Sequence, residues 1–159
     1  MDLFDEMFGL TSAFNAAQIP YAVAGGMAVA IHGYPRFTKD IDLLILPRDE
    51  ARAMSVAAER MFVFDGGRLP MGGGEPVERE IVRVSKIEGK VIVTLDLMIV
   101  NQSILPAWDS RIDFDLQDHR VTVVSRDGLK LLKKLAGRKQ DFLDLEQLGL
   151  DYADETDAV

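Results

Sequence analysis

The hydrophobic positions of this chain change period as it runs, and each change marks an element. Between residues 3 and 18, Leu3, Phe4, Met7, Phe8, Leu10 and Phe14 recur at the spacing of a helix with one apolar face, closed by Ile19-Pro20. Residues 21–24 read as a short apolar strand broken by Gly25-Gly26. The alanine-rich stretch 27–32 then predicts a helix stopped by Gly33, with Pro35 behind it. Residues 41–46 read as a strand ended by Pro47, and 49–61 suit a helix with Asp49 and Glu50 at its positive end. Gly66-Gly67 and the 72–74 glycine triplet bracket a flexible loop, a connector placed to move over a site. Segments 81–87 and 91–100 form two antiparallel strands turning at Glu88-Gly89-Lys90. A short strand follows at 121–124, and Ser125 caps a helix running through Leu135, with a second helical segment after Gly137. Without repeat or linker, this order predicts one α/β (α+β) domain over residues 1–150, a mixed sheet flanked by helices. Residues 151–159 form an acidic, frayed tail.

Composition narrows the picture. The 159 residues are 48% hydrophobic and 28% charged, the balance of a globular chain with a real core. A net charge of -8 argues against non-specific binding to nucleic acid, although a nucleotide needs only local cations or metal ions. With no cysteine, thiolate metal sites, disulfides and cysteine nucleophiles are excluded. The first residues are acidic where a signal peptide is basic, and no apolar run approaches a membrane span, so a cytoplasmic location without membrane contact is expected.

Chemistry concentrates in three places. In Asp40-Ile41-Asp42 the strand period sends both carboxylates to one face. At a separation of roughly 7 Å and an effective dielectric near 20 their repulsion is on the order of 2 kcal/mol, which a cation between them reverses. All-oxygen donors of this kind suit magnesium or manganese. An isolated D-x-D is more often two solvated aspartates, but the apolar run Leu43-Leu44-Ile45-Leu46 places this pair at the end of a central buried strand. Asp96 stands alone within the apolar strand 91–100, a costly position unless metal-bound or paired with Arg83 or Lys86 on the neighbouring strand. Finally, Gly25-Gly26 joins a strand to a helix, where glycine lets backbone approach a phosphate closely. Neither the dinucleotide fingerprint nor a P-loop is present.

Together, a strand ending in Gly-Gly, a helix, a D-x-D strand some fifteen residues on and a later strand aspartate resemble the nucleotidyltransferase superfamily that includes DNA polymerase beta. The run from Gly25-Gly26-Met27-Ala28 to His32-Gly33-Tyr34-Pro35-Arg36-Phe37-Thr38-Lys39-Asp40-Ile41-Asp42-Leu43 is similar to its minimal bacterial members, the AbiEii and MenT type toxins among them. The segment from Leu132-Lys133-Lys134 to Gly137-Arg138-Lys139-Gln140-Asp141-Phe142-Leu143-Asp144-Leu145 resembles their closing helices.

The resemblance implies a nucleotidyltransferase fold and transfer of a nucleoside monophosphate from an NTP to an acceptor, with Mg2+ or Mn2+ as cofactor. Gly25 and Gly26 would line the triphosphate, and Asp40, Asp42 and Asp96 would hold the metal ions, Asp96 doubling as base for the incoming hydroxyl. Arg36, Thr38 and Lys39 become phosphate contacts, and Lys133, Arg138 and Asp141 the far wall, with Lys133, Asp141 and Asp144 close on a helical wheel. The commoner fate of such charges is a solvated face. The acceptor class spans a tRNA end, a protein or a small molecule, and a toxin would bring an antitoxin partner. A nucleic-acid acceptor would need a patch built from Lys130, Lys133, Lys134, Arg138 and Lys139. Two rivals stand beside this reading. One is a non-catalytic nucleotide-binding or interaction module, disfavoured because all three carboxylates are present. The other is an antibiotic-modifying type of transferase, for which a homodimer would have to complete the acceptor site. His32, His119 and Trp108 are expected to be structural.

Overall fold

The computed structural model describes residues 2–71 and 79–150. The 72–74 glycine triplet and the tail 151–159 lie outside the described residues. Helix α1 (Leu3–Ala16) starts where the Asp2 carboxylate accepts hydrogen bonds from the Phe4 and Asp5 amides, at 2.8 and 3.2 Å. Its apolar stripe, Met7, Leu10 and Phe14, is completely buried. Strand β1 (Ala22–Ala24) runs straight into α2 (Gly25–Ile31), and β2 (Asp40–Ile45) is followed by a 3-10 turn and α3 (Glu50–Glu59). Strands β3 (Phe64–Met71), β4 (Arg79–Glu88) and β5 (Val91–Ile99) form the far half of the sheet. A 3-10 turn, the short α4 (Leu105–Asp109), the hairpin β6 (Ile112–Leu116) and β7 (His119–Val123), then α5 (Arg126–Ala136) and α6 (Lys139–Gln147) complete the order.

The seven strands form one mixed sheet, β3-β4-β5-β2-β1-β7-β6, parallel at β2/β5 and β1/β7 and antiparallel elsewhere. The predicted mixed sheet flanked by helices is therefore the observed architecture. Central β2 and β5 are buried on both faces, which explains their nearly continuous apolar runs. Helices α1 and α3 pack together behind the sheet, and Lys86 of β4 reaches Glu6 of α1 on that side. The opposite face carries α2 and α5, with α6 packed on α5. No helix among the described residues is long and apolar enough to cross a membrane.

Two strands depart from the sequence expectation. The Gly66-Gly67 stretch, expected as loop, belongs to edge strand β3, where a bulge between Asp65 and Gly67 absorbs the turn-like residues. The Asp65 carboxylate accepts from the Gly67 amide at 2.7 Å, and Gly67 takes a φ of 85°. Strand β6 was not expected, although Ile112-Asp113-Phe114-Asp115-Leu116 alternates cleanly. Its turn is made by Gln117 and Asp118 at φ 47° and 65°, a left-handed pair without the usual glycine signature. Trp108 is buried in α4 with the Arg111 guanidinium 3.7 Å above its ring. His32 bonds the Val124 carbonyl at 2.8 Å, and His119 stacks on Phe8 with ring centroids 4.4 Å apart, so both histidines pack the fold.

Candidate active site

The ladder registers bring the three aspartates to one face. Asp42 lies directly across from Asp96 in the parallel β2/β5 pair, and Arg83 of β4 lies across from Asp96. Strand neighbours stand about 4.8 Å apart, so Asp42, Asp96 and Arg83 make a row across three strands, with Asp40 two residues along. Asp96 is almost fully buried, whereas Asp40 and Asp42 are partly open to solvent.

The row faces a cleft of about 530 Å³, a size that suits a small-molecule ligand. Gly25, Gly26, Arg36, Thr38, Lys39, Asp40, Asp42, Asp96, Lys133 and Arg138 all line it, and so do Phe37, Ile81, Arg83, Met98 and Gln140. Five cationic side chains and these three carboxylates line the cleft, and Asp141 and Asp144 behind it pair with three of the five cations.

The glycines are explained by their neighbours. Gly25 has a φ of 60°, and a Cβ there would come 2.1 Å from Oδ2 of Asp42. A Cβ on Gly26 would meet Thr38 Oγ1 at 2.7 Å. Both residues let the first turn of α2 press against the acidic row and the 36–39 loop. Because α2 is only seven residues long, close backbone access matters here more than a helix dipole.

Electrostatics separate the carboxylates. Burial, then the charges of Asp96 and Asp40, push Asp42 up to about 7, and Lys133 and Arg138 offset this only in part. Asp40 is raised too, by burial and by Asp96. Asp96 is instead held by Arg83, whose Nε and Nη2 donate to its two oxygens at 2.7 and 2.9 Å. The salt-bridge alternative for Asp96 is thus realised with Arg83, while Lys86 points to the opposite face and binds Glu6.

The far wall is a buried ion network. Lys133, Asp141 and Asp144 are all almost fully buried, with Lys133 Nζ 3.2 Å from Asp141 and 2.9 Å from Asp144. Arg36 grips Asp144 through Nε and Nη2 at 2.8 and 2.9 Å, and Arg138 caps Asp141 through its amide and guanidinium. Burial alone would raise Asp141, but Arg138 and Lys133 outweigh it and hold it below the usual carboxylate range. Asp144 is held low against burial in the same way by Arg36, Lys133 and Gln140. These residues do not share one continuous helix, because Gly137 at φ 65° ends α5 and α6 folds back. The basic patch that a nucleic-acid acceptor would need is correspondingly reduced: Lys133 is buried, and Arg138 is tied to Asp141. Asp144 and Arg83 carry more of the site than their sequence positions suggested. The signals were Arg83 opposite Asp96 and Asp144 one helical turn beyond Asp141.

Hard all-oxygen donors and an undercompensated Asp42 fit a divalent cation at Asp40 and Asp42. Among the described residues, no group of three acidic, histidine or cysteine side chains is assembled to hold a metal. Asp96 is in register for that group but directed to Arg83.

The seven-stranded mixed sheet with its flanking helices is a fold shared with solved nucleotidyltransferase-like structures. No family model and no curated protein matches the sequence. Among solved structures, a candidate nucleotidyltransferase from Thermotoga maritima is similar at a TM-score of 0.61 and 11% identity, over 91% of this chain and 90% of that one. An antigenic nucleotidyltransferase-like protein from Paracoccidioides brasiliensis is similar at 0.52 and 18%, over 89% and 71%. The antibiotic-resistance factor ANT(2")-Ia, solved in complex with adenylyl-2"-tobramycin, is similar at 0.53 and 11%, over 91% and 85%. At these identities the likeness is one of fold.

Proposed function

We propose that the protein is a metal-dependent nucleotidyltransferase that moves a nucleoside monophosphate from an NTP to an acceptor hydroxyl. The observation that carries this reading is Asp42, a carboxylate raised to about 7 beside two like charges in a cleft otherwise rich in cations. An acidic row of this kind costs stability unless it works on a cation.

In this reading Asp40 and Asp42 hold Mg2+ or Mn2+, joined by Asp96 once Arg83 releases it. Bound there, the metal would supply Lewis-acid stabilisation of the charge that develops on the reacting phosphate oxygens. Gly25 and Gly26 admit the phosphates against backbone, and Lys39, Arg138 and Lys133 supply positive potential along the cleft. Arg36 serves chiefly to anchor the loop bearing Thr38 and Lys39, because its guanidinium is occupied by Asp144. Arg83 engages both Asp96 oxygens, so in this reading Asp96 serves as base once that pair opens.

For the acceptor, the reduced basic patch favours a small molecule or a protein side chain over a tRNA end. ANT(2")-Ia, one fold neighbour, was solved with an adenylylated small molecule. The Arg83–Asp96 pair favours a second reading, a nucleotide-binding module without chemistry, because it withholds the third carboxylate. Incubation with Mg2+ and each labelled NTP, alone and with RNA, protein lysate or small polyols, decides between them. Transfer by wild type that disappears in Asp42→Ala supports the enzyme. NTP binding without transfer to any acceptor supports the module.

A further inference from the structure

Asp96 sits between two competing neighbours. On one side lies Asp42, in register across the β2/β5 ladder with Asp40 two residues along, and on the other Arg83, in register across β4/β5. It is directed to Arg83, which chelates both of its oxygens. The two partners differ in freedom: the Arg83 side chain is 38% exposed at the cleft, and that of Asp96 only 6%. Arg83 can therefore leave and Asp96 cannot. A Cβ on Gly66, at the β3 bulge, would approach Cγ of Arg83 to 2.5 Å, so glycine there leaves the space in which the arginine stem lies.

We propose that Arg83 is a displaceable counter-ion: it holds Asp96 in the metal-free protein, yields it to a divalent cation, and then presents its guanidinium to the phosphates. The proposal rests on the metal-dependent reading above and adds a positioning residue that the D-x-D pattern does not contain. An arginine that merely braces the sheet would affect metal and phosphate binding alike or not at all. A displaceable one must affect them in opposite directions, because it competes with the cation and cooperates with the anion.

The test uses Mn2+ alone, and then inorganic tripolyphosphate at saturating Mn2+, with calorimetric titration of the full chain. Arg83→Gln is expected to bind Mn2+ about tenfold tighter and tripolyphosphate about tenfold more weakly than wild type, the scale of one charge-assisted contact. Asp96→Asn should weaken Mn2+ binding, and in the double variant the gain from Arg83→Gln should vanish. Mn2+ binding that is no tighter in Arg83→Gln, or is unchanged in Asp96→Asn, overturns the proposal. Should Arg83→Gln not fold, Arg83→Lys keeps the charge but not the two-point grip. Tighter Mn2+ binding by it supports displacement, and equal or weaker binding refutes it. Absence of Mn2+ binding at millimolar concentration from all forms overturns the proposal together with the metal-dependent reading. Opposed shifts without nucleotide transfer leave the counter-ion role standing and remove only the transferase.

Discussion

Replacing Asp42 by asparagine should make the metal-free protein more stable while abolishing its function. The folded chain holds the Asp42 proton up to about pH 7, whereas the unfolded chain releases it near the ordinary value of 3.8. Between those values the folded state binds more protons than the unfolded one, so stability falls as pH rises from about 4 to 7 and then levels. Each unit is worth 1.36 kcal/mol, and the roughly three-unit gap sets a ceiling on the order of 4 kcal/mol. Asparagine carries no charge and fills the same space, but its amide N–H groups lose part of the gain if left unbonded. A net rise of about 2 kcal/mol at pH 8, or roughly 5 °C in Tm for a chain of this size, is expected. The assay is thermal and urea denaturation of both proteins at pH 5 and pH 8, in EDTA and then in 10 mM Mg2+ (a concentration of roughly that order saturates sites that keep several waters). The variant should exceed wild type at pH 8 but not at pH 5, and Mg2+ should restore wild type without affecting the variant. A wild type equally stable at both pH values, or a variant weaker than wild type at pH 8 in EDTA, would refute the electrostatic reasoning.

Other outcomes follow from the same geometry. Lys133→Met should leave Asp141 and Asp144 buried without their shared cation and cost about 3–5 kcal/mol, measured by urea denaturation. Arg138→Ala should cost much less, since that arginine's side chain is 68% exposed. Because Asp141 and Asp144 are held low, their contribution is present above the ordinary carboxylate range and lost as pH falls below it. An acid titration of Tm should therefore show a drop below about pH 4 that Lys133→Met weakens. Gly25→Ala should lose NTP binding and at least 1–2 kcal/mol, because its Cβ meets Asp42 and its backbone is left-handed; unchanged nucleotide affinity by calorimetry would contradict the close-approach role. Ser125→Ala removes the hydroxyl that accepts from the Gly128 amide at 2.9 Å and should cost about 1 kcal/mol, read from the urea midpoint.

The sequence by itself determined the parts of this protein that depend on neighbours in the chain. Period two sends Asp40 and Asp42 to one face, a glycine pair lets strand turn into helix at Gly25, and Ser125 and Gly137 delimit α5. Such features are short-range, so they survive in the one-dimensional pattern. The tertiary structure decided what depends on partners far along the chain. The parallel β2/β5 register alone puts Asp96 beside Asp42, and pairing with β4 alone hands it to Arg83 rather than Lys86. Pairing with β4 also turned Asp65-Gly66-Gly67 from an expected loop into an edge strand, since a bulge can absorb residues that locally prefer a turn. The return of α6 over α5 brought Asp144 to Arg36 and buried Lys133 in an ion network, where the sequence showed only a dense basic stretch. Charge alone does not choose among possible counter-ions, because an ion pair is made by distance and burial, and both are properties of the folded chain.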